Sequence, residues 1–83
     1  MDRTQRHEIL RKLLGHQAPV FELIRGKMLK VEDDFAFAFD TLVEYIIEEF
    51  DKGMTPLLAA TVMTEAYECF KPQMLKERYP NDN

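Results

Sequence analysis

Serine and tryptophan are absent from this 83-residue chain, cysteine occurs once and glycine three times. Without serine there is no serine nucleophile. A lone Cys69 excludes an intrachain disulfide and points to a reducing compartment. Gly15, Gly26 and Gly53 lie too far apart to assemble a phosphate-cradling loop. The two histidines, His7 and His16, fit no metal spacing. His7-Glu8 begins like a zinc-binding HExxH helix, but Arg11 stands where the second ligand belongs. Glu44, Glu48 and Glu49 have no histidine three residues on, as a carboxylate-bridged di-iron site requires. Asp33, Asp34 and Asp40 lack the glycine and closing glutamate of a calcium loop. Cys69, beside Phe70, reads as a packed small hydrophobe rather than a nucleophile. The chain is therefore expected to be no enzyme, with no catalytic residue, metal ligand or cofactor.

Long apolar runs are also missing, and none approaches the roughly 20 residues that span a bilayer. The start, Met1-Asp2-Arg3-Thr4-Gln5-Arg6-His7-Glu8, is charged where a secretory leader is apolar. A cytoplasmic protein that avoids membranes is expected.

What is present is the composition of a folded domain, 46% hydrophobic and 31% charged. A single domain over 1–83, with 79–83 as a frayed tail, is expected. At this length only about 60–65% of the unfolded chain's surface is buried, so the margin of stability is thin. Six Phe and five Met are generous for the size. Either the core is rich in aromatics or part of this apolar surface faces a partner.

Charge is segregated. The net value is -4, but the first thirty residues hold Arg3, Arg6, Arg11, Lys12, Arg25, Lys27 and Lys30. From Val31 to Asp51 come Glu32, Asp33, Asp34, Asp40, Glu44, Glu48, Glu49 and Asp51, with no Lys or Arg among them.

Periodicity and punctuation predict an all-α fold, a compact bundle of four main helices with a short fifth at the C-terminus. Asp2-x-x-Gln5 is a capping-box pattern that opens a helix over about 3–14, with Ile9, Leu10, Leu13 and Leu14 at helical spacing and Gly15 closing it. His7 and His16, at its two ends, are expected to face solvent. Ala18-Pro19 opens a second helix, its apolar face Val20, Phe21, Leu23 and Ile24, ending near Gly26. A hairpin over residues 20–31 is the alternative there. The third helix is capped by Asp33 or Asp34 and ends before Gly53. Phe35, Phe39, Leu42, Val43, Ile46, Ile47 and Phe50 share one arc, with Asp33, Asp40, Glu44, Glu48 and Asp51 opposite. Thr55-Pro56 starts a fourth helix to about Lys71, apolar over more than half its circumference and therefore central. Pro72 is expected to stop it and open the fifth helix, Gln73 to Arg78.

The acidic row carries the functional reading. Asp40, Glu44 and Glu48 are like charges at successive i, i+4 positions, which costs an isolated helix a few tenths of a kcal/mol per pair. Basic groups from the first helix or Lys27 and Lys30 offset this internally, or a partner does so externally. Phe37 falls among these acids if the helix begins by Asp34, and so is an interface anchor. In an extended lead-in it is core instead. The expected function is a protein–protein interaction module or small regulator that self-associates. Phe37, Asp40, Glu44 and Glu48 of one copy would meet Arg3, Arg6 and Arg11 of another, in a dimer weakened by salt. The alternative is an acidic inhibitor or decoy that occupies a basic, nucleic-acid-binding surface of a target protein. DNA binding through the basic N-terminal half ranks third, because phosphates would be repelled by the acidic row.

Overall fold

The computed structural model describes residues 2–29 and 33–78, with the backbone alone at 33, 34 and 75–78. Every regular element among the described residues is helical. They are α1 (Arg3–Leu14), a single 3-10 turn (Gly15–Gln17), α2 (Ala18–Met28), α3 (Asp33–Asp51) and α4 (Pro56–Arg78). The expected fold class is thus observed, but the helix count is not. No non-helical residue separates α1 from α2, so the described residues form three runs of helical residues, 3–28 (bent at the 3-10 turn), 33–51 and 56–78, rather than four or five separate ones.

The start of α1 is as its sequence dictates. The Asp2 carboxylate accepts from the Gln5 backbone N–H at 2.8 Å, and the Gln5 side chain accepts from the Asp2 N–H at 3.2 Å. Two amide donors that have no intrahelical partner are thereby satisfied. Asp2→Ala is expected to cost about 1 kcal/mol of stability, measurable as a lowered urea midpoint with an unchanged slope.

Gly15, with φ of +57°, ends α1 in backbone space that side chains other than glycine rarely occupy. The chain then folds back, so that residue 7 of α1 meets residue 25 of α2 and residue 11 meets residue 22. Pro19 sits in the first turn of α2, where its missing N–H costs nothing. Residues 20–28 are therefore helix and not hairpin, and the helix runs two residues past Gly26.

α3 lies mainly against α1, and α4 mainly against α2 while also touching α1 and α3. At 23 residues α4 is about 35 Å long by its 1.5 Å rise, most of the molecule's 44 Å longest dimension. The core joins Leu10 and Leu14 of α1, Phe21, Ile24 and Met28 of α2, Phe35, Phe39, Val43 and Ile46 of α3, and Ala59, Met63 and Met74 of α4. The apolar arc expected of α3 is the one it buries, with Leu42, Ile47 and Phe50 half-buried at its edges.

Two expectations for α4 are corrected. Thr55 caps it as expected, its hydroxyl accepting from the Leu58 N–H at 3.2 Å. Pro72, however, does not stop it, and the fifth helix is simply its last turns. Proline removes the bond that would reach the carbonyl four residues back. Pro72 lies on the exposed side of the helix, as Glu68 does, while Phe70 and the buried Met74 hold the helix against the core on either side. The apolar coverage is also narrower than expected. Leu58 and Cys69 are exposed, because the buried positions 59, 60, 63 and 74 follow a different phase. Cys69 is therefore not a packed hydrophobe. The expected frayed tail, residues 79–83, and the capping side chains of Asp33 and Asp34 lie outside the described residues.

Candidate functional site

The third helix presents two polar faces that differ in what they meet. The first faces α1. Asp40 is held there by two donors, Arg3 Nε to Oδ2 at 2.7 Å and the His7 ring to Oδ1 at 3.3 Å, and only 16% of its side chain is exposed. One turn on, Arg6 pairs with Glu44 at 3.4 Å. Of the two routes by which the like charges of this row might be offset, the internal one operates at Asp40 and Glu44. The Arg6–Glu44 pair, open to solvent on the Glu44 side, contributes at most about 1 kcal/mol. Asp40, with less solvent around it, is the stronger point of attachment.

His7 is the surprise of this face. It was expected in solvent and is 2% exposed. Positions 7, 10 and 14 share one side of α1, so His7 enters the core with Leu10 and Leu14. Its ring stands edge-on to Phe21 and Phe39, with centroids 5.4 and 5.5 Å away, and those two rings stack on each other at 5.5 Å. Nδ1 accepts from Arg25 Nε at 3.0 Å. Since arginine can only donate, the neutral ring carries its proton on Nε2 and donates it to Asp40. Burial holds the imidazole's pKa below its usual 6.5, against the Asp40 hydrogen bond that raises it, and the Arg25 and Arg11 charges push it down further.

Arg11, the third member of the expected basic patch, is engaged as well. It pairs with Glu8 at 3.0 Å and with Glu22 of α2, and its guanidinium lies over the Phe21 ring 5.7 Å from the centroid. Arg3, Arg6 and Arg11 thus all meet acids of their own chain.

The second face points away from the core. Phe37 is helical and 74% exposed, so it belongs to the surface and not to an extended lead-in. Thr41 and Tyr45 follow at i+4 and i+8, and Tyr45 is 50% exposed. Glu44 and Glu48 complete the exposed row. Two aromatic side chains, Phe37 largely and Tyr45 half exposed, thus stand on an acidic helix face among the described residues. Tyr45 was not singled out by sequence reasoning, although its spacing from Phe37 placed it there. Among the described residues the sequence-predicted site residues of α3 therefore divide. Asp40 joins the α1 junction, Phe37 and Glu48 belong to the open face, and Glu44 lies between.

Elsewhere, a shallow depression on α4 is lined by Ala60, Thr61, Thr64 and Glu65, which assemble no catalytic pair. Among the described residues no group of three His, Cys, Asp or Glu side chains gathers as a metal site, and no helix is long and apolar enough to cross a membrane. Comparison with protein-family models, with curated proteins and with solved structures gave no match.

Proposed function

We propose that this chain is a small, non-enzymatic, cytoplasmic protein–protein interaction module or regulator that docks through the outer face of α3. The observation that supports this reading is the exposure of Phe37 at 74%, with Tyr45 two turns on and Glu44 and Glu48 beside them. Aromatic side chains are the usual anchors of interfaces, and an acidic rim selects a partner whose apolar pocket is ringed by Lys or Arg. Phosphates are repelled by the same row, which disfavours nucleic acid.

A basic-surfaced protein fits this face better than a second copy of the chain does. In the dimer first expected, Arg3, Arg6 and Arg11 reach across to the acids of another copy. Here all three already hold carboxylates of their own chain. The decoy reading, in which the acidic face covers a basic surface of a target, therefore takes first place. Self-association is kept as a second reading because the exposed aromatics of two copies can pair about a two-fold axis. In that arrangement acids face acids, so salt strengthens the dimer instead of weakening it.

Two measurements separate these readings. Capture by the tagged chain at low salt is expected to retain a basic partner that Glu44→Lys/Glu48→Lys releases. Retention by the charge-reversed variant contradicts the decoy reading. Light scattering from micromolar to millimolar concentration is expected to give the mass of one chain at low salt. A dimer that grows with salt and is lost in Phe37→Ala moves the assignment to self-association.

A further inference from the structure

We propose that His7 is an acid-operated latch between α2 and α3. Neutral, it holds Arg25 on one ring nitrogen and Asp40 on the other; on gaining a proton it releases Arg25. The ring is almost fully enclosed. The Nε2 proton is already directed at Asp40, so the incoming proton must go to Nδ1. That atom accepts from Arg25 Nε at 3.0 Å. An arginine has no acceptor to offer and does not lose its own proton. Two donors and two positive charges would then face each other across one hydrogen bond, inside a cage closed by Phe21 and Phe39.

Of the two side chains, Arg25 is the one able to leave. It is half-buried on a flexible side chain, whereas His7 is almost fully enclosed and pinned between two rings. The imidazolium keeps Asp40, whose charge now favours it more strongly than before. The released guanidinium turns outward and places a new cation on the surface of α2.

The charged groups around the ring divide, two cations opposing its protonation and one carboxylate favouring it. Arg11 acts from its own helix, Arg25 from α2 and Asp40 from α3, and among the described residues no group of α4 acts on it. Arg11 is partly compensated by Glu8 and Glu22, and Asp40 is shared with Arg3. Protonation therefore adds a cation where one carboxylate already serves two donors. Because the folded chain holds the pKa of His7 below 6.5, the unfolded chain takes up the proton first as pH falls. The latch's contribution to stability is complete above pH 6.5. It shrinks as pH drops from 6.5 toward the lowered folded value.

The test is nitrogen-15 NMR of the histidine rings and arginine Nε–H groups of the full chain, titrated from about pH 8 to about pH 5. His7 is expected in the Nε2–H form at neutral pH, with a resolved Arg25 Nε–H signal. That signal should disappear with the same midpoint as His7 protonation while helical circular dichroism persists. Arg25→Met, which removes the opposing donor at a half-buried position, should raise the His7 midpoint. An Nδ1–H form at neutral pH, an Arg25 signal that survives the His7 titration, or an unmoved midpoint in Arg25→Met would each overturn the proposal.

Discussion

Phe39→Ala is expected to remove about 3–5 kcal/mol of stability, while Phe37→Ala, two residues earlier on the same helix, changes it by less than about 0.5 kcal/mol. Phe39 is fully buried, stacked on Phe21 and faced by the edge of His7. Truncating it loses the transfer energy of the ring and leaves a cavity that the surrounding helices cannot fill without moving. At roughly 0.05–0.15 kcal/mol per residue, an 83-residue domain has only about 4–12 kcal/mol in hand. The Phe39→Ala chain is therefore expected to be largely unfolded at body temperature or marginally folded at room temperature. Phe39→Leu, which keeps most of the volume, should lose less than about 1.5 kcal/mol. Urea denaturation followed by circular dichroism reads all three variants. Similar losses for Phe37 and Phe39 would place the register of α3 wrongly and with it the outward face.

Asp40→Ala is the second large effect expected, about 1–3 kcal/mol. The carboxylate accepts from Arg3 on one oxygen and from His7 on the other, and 16% exposure leaves little water to replace it. Arg3, half exposed, is readily rehydrated when its partner goes. The His7 Nε2–H is not, and its unsatisfied burial supplies most of the loss. Asp40→Asn, which keeps an acceptor oxygen, should cost distinctly less. A double-mutant cycle with Arg3→Ala is expected to give a coupling of at most about 1 kcal/mol, the worth of a partly exposed pair. A larger coupling would mean that Arg3, and not His7, carries the junction.

How much of this was legible in the sequence depends on what each residue's position is decided by. The start of α1, the breadth of α3 and the cap of α4 follow from local chemistry, namely Asp2 with Gln5, a long apolar arc, and Thr55 before Pro56. Tertiary contacts decided the rest. Pro72 reads as a stop because proline breaks isolated helices, yet packing of Phe70 and Met74 carries α4 through it. His7 was misplaced because a histidine next to Arg and Glu looks solvated. Its phase with Leu10 and Leu14 was the signal that could have found it. The Arg25 and Asp40 partners that make its burial tolerable come from elements far away in sequence.

The acidic row shows the same limit more sharply. Its existence was plain, but whether α1 or another molecule offset it depended on how the helices dock. Asp40 and Glu44 were answered from within. Phe37 was poised between core and surface until the start of α3 was fixed at Asp33, which turns it outward. Tyr45 then joins it by simple spacing. The part of α3 left over after folding, rings among acids, is what the account assigns to a partner.

The most direct measurement of that assignment compares Phe37→Ala/Tyr45→Ala with the unaltered chain in urea denaturation and in partner capture at low salt. Stability is expected to stay within about 0.5 kcal/mol per residue replaced, and the basic partner to be lost. A partner retained at full occupancy, or a stability loss of several kcal/mol, would contradict that assignment, because the rings would then serve nothing outside the chain or serve its own core.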